Sequence, residues 1–289
     1  MNIIRADHYG MCFGVKNAIA TAKRISSELN LTILGELVHN DVVINDLKRN
    51  GIQFANTPDE IKTRKVMITA HGASDSKINE LKARGFDVVE ATCPLVKLAH
   101  KAAKDFAQNG FFPVVIGKRD HVEVQGIVGD LSEFAVVLTP ADVEALPRKN
   151  KYGVLSQTTQ PVSRVSELLS LIRARFPDSI VSFRDTVCAP TKQRQIAAIK
   201  IAEKSDVVIV IGGRKSNNTA ELTKSCLAFC KKVYQVETAA DLVPEWFTGA
   251  KTIGITAGTS TPDEVIDDVE KTIAQFSFIY ENANNVVVA

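Results

Sequence analysis

Three of the five cysteines sit where a thiol could do chemistry. Cys12 follows the apolar pair Ile3-Ile4 through Gly10-Met11 and opens the helical run Val15 to Leu29. Cys93 follows Val88-Val89-Glu90-Ala91-Thr92 and opens the amphipathic run Leu95 to Gln108; Cys188 follows Ile180-Val181 and Asp185-Thr186-Val187 and opens the run Thr191 to Lys204. Each thiol therefore stands between a strand and a helix. The unpaired N–H groups and positive dipole end of a helix N-terminus favour a thiolate over a thiol, and three thiolates could hold one metal centre. These cysteines are too far apart in the chain for a compact metal finger, so they can meet only if three similar units face a common point. A lone cysteine is more often a small buried hydrophobe, but three at equivalent positions argue against that. Cys226 and Cys230, at i and i+4 in a helical run from Glu221 to Cys230, fit core packing instead.

The other polar clusters fall at strand exits as well: His39-Asn40, His71-Gly72, His121 with Glu123, Thr158-Thr159, Ser216 to Thr219, and Ser260-Thr261. In parallel α/β sheets, ligands bind beyond the carboxyl ends of the strands. Gly/Ser/Thr exits leading into helix N-termini bind phosphate through backbone N–H groups, so these exits make a diphosphate cradle around the metal. Singly, a histidine there is more often a structural hydrogen-bonder and a serine an N-cap. His39, His71 and His121 share equivalent exits, which tilts them toward function; His8 and His100 read as structural.

The elements that must position these residues follow from the hydrophobic pattern. Short apolar runs such as Asp206 to Ile211 alternate with runs of helical period, which predicts parallel sheets with right-handed crossovers. The fold class is α/β: three pseudo-threefold-related units with small, mostly parallel sheets around a central cluster. The expected units are 13–93, 94–188 and 189–279, with the N-terminal strand segment 1–12 joining the third so that the chain closes on itself. A last helix from Asp263 is expected to end near Phe276, leaving residues 280–289 as a tail.

Composition limits the partners. With 289 residues, 45% hydrophobic and 24% charged, the chain can bury a large core. The net charge of +2, from 35 basic and 33 acidic residues, points to neither nucleic acid nor an anionic membrane. No run approaches the ~18–20 apolar residues of a membrane span, and Arg5, Asp7 and His8 interrupt any signal-peptide core. The expected compartment is the cytoplasm, where disulfides are disfavoured.

Taken together, Gly10-Met11-Cys12-Phe13-Gly14-Val15, Ala70-His71-Gly72, Ala91-Thr92-Cys93-Pro94, His121-Val122-Glu123-Val124, Gln157-Thr158-Thr159, Ser216-Asn217-Asn218 and Ala257-Gly258-Thr259-Ser260-Thr261-Pro262-Asp263 resemble the motifs of the 4-hydroxy-3-methylbut-2-enyl diphosphate reductases, in order and across essentially the whole chain. The resemblance implies an iron–sulfur enzyme of the non-mevalonate isoprenoid pathway. Its reaction is a two-electron, two-proton reductive dehydroxylation giving isopentenyl and dimethylallyl diphosphates. It implies one [4Fe-4S] cluster per chain on Cys12, Cys93 and Cys188, with one iron left open to the substrate's C4 hydroxyl. It also implies Glu123, relayed through Thr158 and neighboured by His121, as proton source. His39, His71, His121, Thr158, Ser216, Asn217, Asn218 and Ser260 would bind the allylic diphosphate substrate. Electrons would come from a low-potential donor such as ferredoxin or flavodoxin. Asn217 stands where a small Ser or Gly is usual, and Val122 where proline is typical. A carboxyl beside a diphosphate resists ionising because like charges repel, so some Glu123 is expected to stay protonated near neutral pH. Two rivals keep the fold and change the chemistry: an α/β binding protein for a phosphorylated metabolite, and a zinc hydrolase with three cysteine ligands.

Overall fold

A computed structural model gives the fold and describes residues 1–286, with side chains through residue 276. The chain runs β1 (Asn2–Arg5), α1 (Phe13–Ser26), β2 (Leu31–Leu34), α2 (Asp41–Arg49), β3 (Gln53–Ala55), β4 (Lys65–Ile68), α3 (Asp75–Ala83), β5 (Asp87–Glu90) and α4 (Pro94–Gln108). There follow β6 (Phe112–Ile116), α5 (Val122–Val128), β7 (Ala135–Val137), α6 (Pro140–Glu144), β8 (Lys151–Ser156), α7 (Val162–Arg175) and β9 (Ile180–Phe183). The remainder is α8 (Ala189–Ala202), β10 (Val207–Ile211), α9 (Asn217–Leu227), β11 (Val233–Val236), β12 (Thr252–Ala257) and α10 (Asp263–Val286).

The strands form three four-stranded sheets: sheet I in the order β3-β2-β4-β5, sheet II in the order β7-β6-β8-β9, and sheet III in the order β11-β10-β12-β1. Every pair is parallel. In each sheet one edge strand, β5, β9 or β1, leads to a cysteine. β1 pairs with β12 in the register Ile3↔Ile253 and Ile4↔Gly254, so the first strand completes the last sheet.

Contacts gather the chain into two compact units. Met1–Cys12, His39–Val43 and Ala189–Ala289 contain sheet III; Phe13–Val38 and Ile44–Cys188 contain sheets I and II. In the first of these, β10 is wholly buried because both of its faces are covered. Val207, Ile209 and Ile211 meet Ile266, Val269 and Ile273 of α10. Val208 and Val210 meet Ala197, Ala198 and Ile201 of α8 and Leu222 of α9. A period-2 strand covered on both sides has to read as continuous apolar sequence.

In the other unit, Val66 and Ile68 of sheet I pack against Ile78 and Leu81 of α3. Cys93 ends that sheet, and α4 crosses to sheet II, where Ala99, Ala102, Ala103 and Phe106 cover Val115 and Leu155. The opposite face of sheet II is closed by Leu168 and Ile172 of α7 over Val114, Ile116 and Val154. The same handover recurs elsewhere. α8 follows Cys188 and packs on β10 and β12, and α1 follows Cys12 and packs on β2. Each cysteine thus marks the point where the chain leaves one sheet for the next.

Three expectations change in detail. α9 starts at Asn217 rather than Glu221 because Ser216 caps it, accepting a hydrogen bond from the Thr219 N–H. Asn217 and Asn218 are therefore in its first turn, and Cys230 lies past its end. α10 continues to Val286 rather than stopping near Phe276, so residues 280–286 of the expected tail are helical and 287–289 lie outside the described residues. β3 is not expected from the hydrophobic pattern: three residues, Gln53–Ala55, are too few to show a period. Among the described residues, no helix is long and apolar enough to cross a membrane.

The α4–sheet II contact supplies a test. A Cβ on Gly153 of β8 would lie 2.2 Å from Cγ of Phe106. Gly153→Ala is expected to destabilise the protein by about 1–3 kcal/mol through overpacking, read as a lower urea midpoint. Gly249→Ala, where a Cβ meets nothing within 4 Å but φ is +74°, is expected to lose only the smaller amount set by backbone strain.

Candidate active site

The three N-terminal cysteines are held alike. The Cys93 N–H donates to the Ala70 carbonyl, the Cys188 N–H to Thr158 and the Cys12 N–H to Thr259, each at 3.0 Å. Each acceptor lies two residues past the end of the strand beside the edge strand: β4, β8 and β12 respectively. The helix starts at the next residue in all three cases. All three thiols are partly exposed and none is in a disulfide. Cys226 and Cys230 contrast with them: both are buried, and their Sγ atoms contact the carbonyls of Ala198 and of Ser205, respectively. Burial pushes the Cys226 thiol up to about 12, which keeps it a protonated core residue.

In the unit holding sheets I and II, the acid predicted from sequence is enclosed. Glu123 is 2% exposed. It sits in the first turn of α5, whose N-cap His121 accepts the Glu123 N–H at Nδ1, 3.2 Å away. With Nδ1 accepting, a neutral His121 carries its proton on Nε2. The Glu123 carboxylate accepts two hydrogen bonds from one residue, from the Thr158 N–H at 2.6 Å and from its Oγ1 at 2.9 Å. Burial raises the Glu123 pKa to about 7, against the pull of both Thr158 bonds. The shift expected from a neighbouring diphosphate is already produced in the protein itself by loss of water. Thr158 also accepts the Cys188 N–H, so one residue positions both the acid and the thiol. The His71 and His121 rings meet edge to face with centroids 5.5 Å apart.

A residue missed in the sequence holds these histidines' loops together. Asp130, just past α5, caps the start of α3: its carboxylate accepts the Asp75 N–H at 2.8 Å, the Ser76 N–H at 2.9 Å and the Ser76 hydroxyl at 2.7 Å, and pairs with Lys104 at 3.0 Å. Burial pushes its carboxyl up, but these bonds outweigh burial and hold it well below the usual range. α3 follows the His71 turn, and Asp130 follows the helix of His121 and Glu123. The signal was weak, since an Asp after a Gly reads as a turn residue.

In the unit holding sheet III, the donors of the expected cradle gather at the start of α9. Ser216 and Asn218 are buried, as is Ser260 in the turn after β12. The amide nitrogens of Asn217 and Asn218 and the hydroxyls of Thr219 and Ser260 are buried without a hydrogen-bond partner among the described residues. Buried donors are normally paired, so an unpaired array at a helix N-terminus is equipped to receive an anion. Gly258 keeps the space open: a Cβ there would lie 2.2 Å from Thr219 Oγ1 and 3.6 Å from Asn218 Nδ2. His39 enters this unit through its backbone, whose carbonyl would lie 2.4 Å from a Cβ on Gly213. Asn40 caps α2 by accepting the Val43 N–H at 3.2 Å.

The fold and these residues define a class: a parallel α/β protein with a thiol at each sheet-to-sheet crossing, a buried carboxyl titrating near neutrality and a set of unpaired anion donors. A family model described as LytB protein matches residues 3–274, and the chain belongs to that family. It is 39% identical over 277 residues to the 4-hydroxy-3-methylbut-2-enyl diphosphate reductase of Dehalococcoides mccartyi (strain CBDB1), spanning 93% of this chain and 96% of that protein. To the enzyme of the same name from Aquifex aeolicus (strain VF5) it is 36% identical over 282 residues, spanning 95% and 96%. The solved E-1-hydroxy-2-methyl-but-2-enyl-4-diphosphate reductase of Plasmodium falciparum superposes with a TM-score of 0.87 at 25% identity, over 92% of this chain and 86% of that one. A second solved structure, of (E)-4-hydroxy-3-methyl-but-2-enyl diphosphate reductase, the terminal enzyme of the non-mevalonate pathway, gives 0.69 at 36% identity over 95% and 99%.

The buried acid makes a prediction about stability. A carboxyl whose folded pKa is raised stabilises the native state below its unfolded pKa of 4.5, and that contribution is lost as pH rises through about 7. Glu123→Gln copies the protonated form and escapes the loss. Thermal unfolding is expected to show the variant and parent equally stable near pH 4.5. Above pH 7 the variant should be more stable by up to ~3 kcal/mol, from 1.36 kcal/mol per pKa unit.

Proposed function

We propose that the chain is a 4-hydroxy-3-methylbut-2-enyl diphosphate reductase. It would convert (E)-4-hydroxy-3-methylbut-2-enyl diphosphate, two electrons and two protons to isopentenyl or dimethylallyl diphosphate and water. Family membership and the names of the relatives support the reaction. The observation on this chain that carries it furthest is the contact of Glu123 with Thr158, itself bonded to Cys188.

The thiol set suits a [4Fe-4S] cluster. Three partly exposed cysteines are anchored by the same backbone bond, while the two remaining thiols are buried in the core. Cys12, Cys93 and Cys188 would hold it, and when bound it supplies the electrons and an iron site without a protein thiolate. A low-potential donor such as ferredoxin or flavodoxin would reduce it. The rest falls to the chain's own groups. Ser216, Asn217, Asn218 and Ser260 would donate to the diphosphate, with His39, His71 and His121 supplying further N–H donors or positive charge. Water is excluded from the acid, since Glu123 is buried.

Loss of the C4 hydroxyl requires that it depart as water, so a proton must reach its oxygen. Glu123, with a pKa of about 7, is close to half protonated at neutral pH, which is where a general acid works best. When protonated, it donates to Thr158 Oγ1; when ionised, it accepts from that hydroxyl. Thr158 can therefore pass a proton outward while its N–H keeps the carboxyl in place.

Two outcomes are expected. Serine at Cys12, Cys93 or Cys188 should abolish stable iron binding, whereas Cys226→Ser and Cys230→Ser should retain it; full iron loading in Cys93→Ser would remove that residue from the ligand set. Glu123→Gln keeps shape and hydrogen bonding but gives up no proton. With the cluster spectrum intact, it should bind substrate nearly as the parent does and reduce it ~10²–10⁴-fold more slowly in a single turnover. In the parent, single-turnover rate should fall as pH rises through about 7. Near-normal reduction by Glu123→Gln would move the acid elsewhere.

A further inference from the structure

Arg194 lies in α8 and is 8% exposed, a burial that an arginine tolerates only when its charge is well paired. Its guanidinium donates to backbone carbonyls. Nε donates to Gly10 at 3.0 Å and Nη2 donates to the same oxygen at 2.7 Å and to Tyr9 at 3.4 Å, while Nη1 donates to Pro190 in its own helix at 2.9 Å. The guanidinium fork therefore grips the loop two residues before Cys12.

That loop has more need of a fastener than its two counterparts. The loop from β5 to Cys93 is the shortest of the three and that from β1 to Cys12 the longest. The intermediate loop, from β9 to Cys188, is tied down by Thr186, whose Oγ1 accepts the Ser156 N–H at 2.8 Å and donates to the Ser156 carbonyl at 2.6 Å. In the Cys12 loop, Gly10 turns through φ +68° and donates its N–H to Ala257 at 3.1 Å. Its carbonyl is thereby aimed away from the strand, and Arg194 receives it.

The threefold pattern isolates this residue. Arg194 is the sixth residue after Cys188; the sixth after Cys12 is Ala18 and the sixth after Cys93 is Ala99, both buried alanines. A small apolar residue suffices for helix packing at those two positions. An arginine at the third is a departure that packing does not require, and its hydrogen bonds say what it does instead.

We propose that Arg194 is a positioning residue for Cys12: by clamping the Gly10 carbonyl it fixes the loop that presents this thiol. Its catalytic relevance rests on Cys12 being a cluster ligand, but the positioning itself does not. Arg194→Met removes all of these donors at similar volume, and Arg194→Lys keeps the charge while losing the fork.

The test uses full-length protein isolated anaerobically, challenged with iodoacetamide and an iron chelator, with alkylation of each cysteine followed by peptide mass spectrometry. The readout is the alkylation rate of Cys12 relative to Cys93 and Cys188. Losing a charge-assisted hydrogen bond should raise that ratio about tenfold in Arg194→Met and by less in Arg194→Lys. An unchanged ratio in a folded variant overturns the proposal, as does an equal rise at all three cysteines, which would mark general loosening. If Arg194→Met does not fold, Arg194→Lys decides by the same ratio. Iron content of the parent protein is measured in parallel. An iron-free parent together with a raised Cys12 ratio in Arg194→Met keeps the positioning role and rejects the cluster, so the two claims fail separately.

Discussion

Each sheet of this protein ends in one repeated interaction: the backbone N–H of a cysteine bound to the carbonyl two residues past the neighbouring strand. Parallel pairing brings the C-terminal ends of adjacent strands side by side, and this bond extends the ladder by one step into the loops. It fixes the cysteine's backbone just where the first turn of a helix begins. The helix after Cys93, α4, then packs on sheet II, so that thiol's place is determined by two sheets rather than by a flexible loop. A side chain that must be held for chemistry gains from support on rigid elements, and the fold supplies that support three times with the same bond.

The second consequence is electrostatic. Thr158, two residues past β8, provides the carbonyl for Cys188 and also the N–H and hydroxyl that hold Glu123. An ionised carboxylate would normally be stabilised by two such donors, yet burial outweighs them and the group titrates near 7. The surroundings of Glu123 thus keep it close to neutral without a bound ligand. Asp130 shows the opposite balance: it also lies close to α5, but its donors and Lys104 outweigh burial and keep it ionised. Glu123 has only the two Thr158 donors to set against burial, whereas Asp130 has three donors and a cation.

Much of this was legible in the sequence for a physical reason. A strand buried on both faces, such as β10, has to be written in consecutive apolar residues, and a helix headed by Cys93-Pro94 announces its own start. Ser216 was visible as a cap, but the start of α9 was placed late because Asn217 and Asn218 read as loop residues. The end of α10 was missed because an Asn-rich run looks like a tail. What could not be read were interactions between distant residues. Asp130 bonds to Asp75 and Ser76 across more than fifty positions, and Arg194 reaches Gly10 across more than a hundred and eighty; neither leaves a local pattern. The cause of the Glu123 shift was likewise beyond the sequence, since burial is a property of the folded chain.

The most direct measurement is the metal content and single-turnover product of the unmodified protein, isolated without oxygen and reduced chemically before substrate is added. About four irons with matching sulfide per chain, and formation of isopentenyl and dimethylallyl diphosphates from the allylic alcohol diphosphate, are the predicted results. A protein that holds zinc or no metal after anaerobic isolation and reconstitution, and leaves that substrate unreduced, would contradict the account.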